Sequence, residues 1–222
     1  MRNPHAHLKG EITIDDVMKS KPIALPLKLF DICPRSSGSA AMIIGTEEVA
    51  KRFQSRPAFI NGLGGMTDTY WIGDRIVPTS RTDWNSFKLV ELAGKPAFKM
   101  AGISDPLRQI QVAELYDPYT CIGYQQLEHL GFCAPGVAAR LDRDHAWDTD
   151  GGQVAVCPSG GTLCTNPIAV SGLVRAIDAA SQIMGTAGTM QVKNVKNALS
   201  TANGGIGQFI SVTVFGSEPV RH

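Results

Sequence analysis

The stretch Cys157-Pro158-Ser159-Gly160-Gly161-Thr162-Leu163-Cys164-Thr165-Asn166-Pro167-Ile168-Ala169-Val170-Ser171-Gly172 runs from a glycine-rich segment through Asn-Pro into a helical pattern. Leu173, Ala176, Ile177, Ala180 and Met184 follow at spacings i, i+3, i+4, i+7 and i+11, which makes one apolar stripe on a helix. Proline suits the first turn of a helix, where backbone N–H groups are free to face a ligand. The expectation is that a flexible loop hands over to a rigid helix at once after Asn166, with the Asn166 amide aimed into whatever the loop encloses. Glycines beside a helix start let the backbone approach a bound group closely. A plain loop and helix cap accounts for the same residues.

Outward from this stretch the chain alternates between strand and helix signals. Residues 40–44 read as a buried strand after the small-residue turn Cys33-Pro34-Arg35-Ser36-Ser37-Gly38-Ser39, and Thr46 caps a helix behind it. Residues 57–64 form a second short apolar run, residues 85–101 a helical pattern interrupted by Pro96, and residues 111–115 a third strand ending at Tyr116. An amphipathic helix spans 121–130, with Ile122, Gln126, Leu127 and Leu130 on one face and Gly131 closing it. Residues 133–153 read as a polar loop, whose His145 and its Asp neighbours fit a solvated acidic loop better than a metal site. Residues 192–202 and 208–215 read as two closing strands. In the second, Ile210, Val212 and Val214 alternate with Ser211 and Thr213, around the turn Asn203-Gly204-Gly205-Ile206-Gly207. The predicted fold is α/β, a layered βαβαβαββ mixed sheet with helices over 31–222, preceded by an extension or linker at 1–30. Ligands of such sheets gather beyond the strand C-termini, where Tyr116, Asn166 and the turn Gly204–Gly207 would meet.

Composition excludes several function classes. The chain has 222 residues, 43% apolar and 18% charged, with a net charge of +1. That balance argues against nucleic-acid recognition, which needs a basic surface. No apolar run is long enough to span a bilayer, and the N-terminus lacks the apolar stretch of a signal peptide. Five widely spaced cysteines without a CxxC pair fit neither a disulfide framework nor a zinc site. They predict mostly buried thiols in a reducing compartment, hence a cytoplasmic location and no bound metal. The segment 65–83, with Trp71, Arg75 and Arg81, is a weak candidate for cofactor or partner binding.

Four of these blocks, in this order, resemble the C-terminal half of thiolases, most closely the sterol-carrier-protein-2 type and its thiolase-like lipid-transfer relatives. Cys33-Pro-Arg-Ser-Ser-Gly-Ser-Ala-Ala is similar to the family's Ser-Asp-Gly-Ala-Ala stretch, and Glu114-Leu-Tyr-Asp-Pro-Tyr-Thr120 to Glu-Leu-His-Asp-Cys-Phe-Ser. Pro158-Ser-Gly-Gly through Asn166-Pro167 to Gly172 is similar to Asn-Pro-Ser-Gly-Gly leading to Gly-His-Pro-Leu-Gly-Ala-Thr-Gly. Asn203-Gly-Gly-Ile-Gly is similar to the closing glycine-rich turn. The likeness runs from Asn3 to Phe215.

The resemblance implies an acyl-CoA enzyme that binds a coenzyme A thioester as substrate and holds no permanent cofactor. The departures limit what the chain does alone. The nucleophilic cysteine of the family belongs to the N-terminal half, its two histidines match Tyr116 and Asn166, and a second catalytic cysteine matches Gly205. An amide does not shuttle protons, and a phenol with a pKa near 10 does so only when perturbed. Claisen chemistry by this chain alone is therefore not expected. Some lipid-transfer relatives act as retro-aldolases in which tyrosine takes over from histidine and cysteine. By that likeness Tyr116 and Asn166 are the catalytic candidates, with Gly204, Gly205 and Gly207 supplying an oxyanion-binding backbone turn. The implied partners are a second thiolase-like chain supplying the N-terminal half and a small OB-fold/zinc-ribbon protein. A non-catalytic subunit supporting an active partner, and a fragment of a longer gene, stay open beside that reading.

Overall fold

The computed structural model describes residues 2–53, 56–75 and 87–221. Near the N-terminus, helix α1 (Ile14–Lys19) is closed by a Thr13–Asp16 capping box, and strands β1 (Pro22–Ala24) and β2 (Leu27–Lys28) form a small antiparallel ribbon. Helix α2 (Glu47–Phe53) follows. The main sheet then builds up from β3 (Phe59–Thr67), α3 (Lys88–Ala101), α4 (Pro106–Gln109), β4 (Val112–Glu114), α5 (Thr120–His129), α6 (Ala138–Arg143), β5 (Ala155–Val156), α7 (Gly161–Cys164), α8 (Ser171–Met184), β6 (Asn197–Gly204) and β7 (Phe209–Gly216). Strand order is β3-β7-β6-β4-β5, with β4 parallel to both β5 and β6, and β7 antiparallel to β6 and β3. Among the described residues no helix is long and apolar enough to cross a membrane.

Strand alternation divides the core into two layers. Ile210, Val212 and Val214 of β7, with Leu199 and Ala113, face a cluster built by Val90, Ala93 and Ala97 of α3 and Leu127 of α5. Phe215, Ala198 and Val112 point the other way, onto Ala179, Ala180 and Ile183 of α8. A mixed sheet with helices on both faces is the α/β architecture expected, and the main-sheet elements follow the order βαβαβαββ. Strand β3 packs against α3 at very short range: a Cβ on Gly64 would lie 1.8 Å from the Ala93 carbonyl oxygen, and one on Gly62 2.0 Å from that of Ala97. Glycine is required there by proximity alone.

Several expectations need correction. Residues 40–44 form no strand; Ile43 is 99% and Ile44 70% exposed, with no strand among the described residues beside them. The fifth strand is instead β5, too short to show a period. Residues 133–153 are not all loop: α6 forms there, and Trp147 is buried with its indole N–H donating to the Ala138 carbonyl at 2.9 Å. Pro96 lies inside α3 without interrupting it, Asn85 falls outside the described residues, and the strand expected from 192 begins at Asn197. The helix after Asn166 starts at Ser171, four residues past Pro167, while the glycine run itself coils into α7. Helix α8 also turns a different face inward. Its buried residues are Ser171, Arg175, Ala179, Ala180, Gln182 and Ile183, leaving Ile177 and Met184 half-buried and Leu173 37% exposed.

Candidate functional site

Three chain segments reach the carboxyl end of the parallel strands. Tyr116 leaves β4 with its backbone clamped: its N–H donates to Thr201 Oγ1 at 2.8 Å and its carbonyl accepts from Gln126 Nε2 at 2.7 Å. The Thr201 hydroxyl in turn donates to Gln126 Oε1 at 2.6 Å, so β6 and α5 together orient the tyrosine. Gln126 and Thr201 are both buried. A buried amide on an otherwise apolar helix face was visible in the sequence, yet its task is legible only once the β4 end is seen beside it.

Asn166 is 3% exposed. The Ser171 hydroxyl donates to its Oδ1 at 2.5 Å, which fixes the orientation of the amide, and its backbone N–H donates to Ser36 Oγ at 3.3 Å. The amide nitrogen therefore turns the other way, donating to Cys33 Sγ at 3.0 Å. Burial raises the Tyr116 pKa above the usual phenol range, reinforced by the neighbouring Cys33 and only partly offset by Asn166.

The segment before Asn166 rests on buried charge. The Ser159 hydroxyl donates to Glu114 Oε2 at 2.6 Å, and the Arg175 guanidinium reaches the same carboxylate at 2.9 Å. Burial pushes Glu114 up to about 7 against the opposing pull of Arg175. Asp117 accepts from both the hydroxyl and the N–H of Thr162, at 2.6 and 2.8 Å, and pins α7 beneath the site. Among the described residues no group of three or more His, Cys, Asp or Glu side chains is gathered as metal ligands would be.

Tyr116, Asn166, Gly205, Gly207 and Arg75 line one cavity of about 480 Å³, together with Cys33. Gly204 lines a neighbouring cavity that shares Tyr116, Asn203 and Ile210 with the first. Tyr116 thus stands between two hollows. Of the weak candidates, Arg75 is buried in the cavity wall, Trp71 is 66% exposed and lines neither hollow, and Arg81 lies outside the described residues. Cys33 is the residue sequence reasoning passed over as a site residue. Its block was visible, but the thiols were expected to be mostly buried, whereas Cys121 is exposed and the other four are half-buried.

This arrangement has relatives. A family profile described as thiolase C-terminal domain-like matches residues 75–217. The chain belongs to that family. Similar proteins include an acetyl-CoA acetyltransferase of Methanothermobacter thermautotrophicus, 29% identical over 96% of this chain and 54% of the relative. The 17-hydroxy-3-oxo-4-pregnene-20-carboxyl-CoA lyase of Mycobacterium tuberculosis is 30% identical over 92% of this chain and 51% of its own length. Human sterol carrier protein 2 is 30% identical over 97% of this chain and 39% of its own length. Among solved structures, the Ltp2-ChsH2(DUF35) aldolase superposes with a TM-score of 0.82 at 29% identity, over 97% of this chain and 54% of that one. The thiolase-like C-terminal half is therefore shown in sequence and in fold. The chain spans about half the length, or less, of the thiolase-like relatives it matches.

Proposed function

We propose that this chain is one half of a thiolase-like acyl-CoA enzyme that cleaves or forms a C–C bond, by retro-aldol or thiolytic chemistry, together with a partner chain supplying the other half. The observation that carries this reading is the convergence of Tyr116, Asn166 and the Gly205–Gly207 turn on one cavity. In aldol cleavage of a β-hydroxyacyl thioester, the Tyr116 phenolate takes the hydroxyl proton. The Cα–Cβ bond breaks, the carbonyl product leaves, and the electron pair passes into the thioester enolate. The Asn166 amide and the turn N–H groups hold the enolate oxygen, a role worth roughly 3 kcal/mol in a dry site; the Tyr116 phenol then gives the proton it took to the enolate carbon and returns to phenolate. Thiolytic cleavage takes its nucleophilic cysteine from the partner chain.

The substrate class is a coenzyme A thioester, in keeping with acetyltransferase and CoA-lyase relatives. A second thiolase-like chain is the proposed partner, since relatives carry roughly as much chain again. A small OB-fold/zinc-ribbon companion fits the same reading, and the similar aldolase is itself named for two components. Five free cysteines fit a reducing compartment, so the proposed location is the cytoplasm.

The test is Tyr116→Phe in the assembled enzyme, which should abolish turnover while leaving assembly intact. The wild-type pH profile adds a sign. A base with a raised pKa is mostly protonated at neutral pH, so the cleavage rate should climb about tenfold per pH unit and level off only above pH ~10. Turnover undiminished by Tyr116→Phe, or a profile flat through neutrality, removes Tyr116 from the mechanism. It then favours the alternative of a non-catalytic subunit supporting an active partner. One observation speaks for that alternative: the described residues lining the cavity include no carboxylate and no imidazole.

A further inference from the structure

The cleavage proposed above leaves the second hollow beside Tyr116, about 410 Å³, without an occupant. Its floor is the side of the sheet that faces α8. There Gly65 of β3 pairs with Ser211 of β7, and Ser211 pairs with Ala202 of β6. Side chains alternate along a strand, so Gly64 faces α3 while Gly65 faces the hollow. A Cβ on Gly65 would meet only the Ile210 carbonyl oxygen, at 4.0 Å, so the space above it is open. Small side chains on three neighbouring strands thus make the hollow. Leu173 of α8 and Phe209 of β7 line it and remain 37% and 49% exposed.

Charge, size and position define what enters it. Among the described residues no charged side chain lines it, so the phosphates of coenzyme A find no counter-charge there. The Asn166 hollow, by contrast, includes the exposed Arg35. The volume falls within the roughly 300–1,000 Å³ of small-molecule pockets, well beyond the needs of a two-carbon aldehyde. Tyr116 belongs to both walls, so a carbon whose hydroxyl proton passes to the Tyr116 phenolate sits at the junction. Asn166 and the Gly205–Gly207 turn take its thioester side in the first hollow, and its other substituents point into the second. Resting on the acyl-CoA cleavage reading above, we propose that the second hollow is the subsite for the departing carbonyl fragment, a bulky, uncharged aldehyde or ketone. The bare backbone at Gly65 sets the size it accepts.

The experiment measures cleavage of two thioesters by the protein purified with any chain that accompanies it. Aldol cleavage of 3-hydroxybutanoyl-CoA yields acetyl-CoA and acetaldehyde; that of 3-hydroxydecanoyl-CoA yields acetyl-CoA and octanal. The expected result is a kcat/KM ~10-fold or more higher for the ten-carbon substrate, the least that methylenes filling an apolar pocket supply. Gly65→Val, a β-branched residue suited to a strand, should fill the hollow and cut that ratio ~10-fold or more. Gly65→Ala should cut it by a smaller factor, and serves the same comparison should the valine variant not fold. Equal kcat/KM for the two thioesters in the wild type, or a ratio that survives every folded variant, overturns the subsite while the cleavage reading stands. So does a folded Gly65→Val protein that no longer retains its accompanying chain, because the hollow then seats that chain. Cleavage of neither thioester by the wild type overturns the aldol reading itself, and this inference with it.

Discussion

Ala169 adopts φ +78°, a left-handed conformation in which a Cβ costs about 1–2 kcal/mol. It sits in the turn between Asn166 and α8, where the resemblance to Gly-His-Pro-Leu-Gly-Ala-Thr-Gly has glycine. Restoring that residue should relieve the strain: Ala169→Gly is expected to stabilise the protein by up to about 1 kcal/mol, against the usual direction of an Ala→Gly change. Denaturant unfolding checks this, and a destabilised variant would mean the turn is held by other contacts. At the same scale, Tyr116 and Asn166 were legible in the sequence, because a strand end and an Asn-Pro step announce themselves locally. Cys33 was not. Its role depends on a 3.0 Å contact with a residue 133 positions away, for which no spacing rule exists.

Among elements, β7 was readable because Ile210, Val212 and Val214 on one face pack into the core while Ser211 and Thr213 on the other are only half-buried, so burial alternates with period two. Residues 40–44 show the reverse case. Their apolar run reads as a buried strand, but a run alone does not supply the neighbouring strand that would bury it, and Ile43 and Ile44 stand exposed. Strand β5 was missed because two residues carry no period, and α6 because a short polar helix leaves little apolar signal. The face of α8 was misjudged for a physical reason: Arg175 and Gln182 point inward to meet Glu114 and the Met190 carbonyl, so polarity misled the choice of stripe. The contact of β3 with α3 carries a prediction of its own. A methyl at Gly64 would collide with backbone that cannot turn aside, so Gly64→Ala should cost about 2–3 kcal/mol. Thermal unfolding reads the loss, and a neutral result would mean α3 can slide away from the sheet.

Across the whole molecule, the surface retains apolar groups of the kind that another chain covers. Ile43 and Ile44 stand free, and the Leu173, Ile177 and Met184 stripe is only part-covered. Monomers seldom leave large apolar patches bare. The proposed cleavage needs a second chain for its remaining groups, so assembly and activity stand together. Native mass spectrometry of the untagged protein purified from its source tests this most directly. The predicted result is a complex of this chain with a second thiolase-like polypeptide, active in acyl-CoA cleavage. A stable, monodisperse monomer in dilute solution would contradict it.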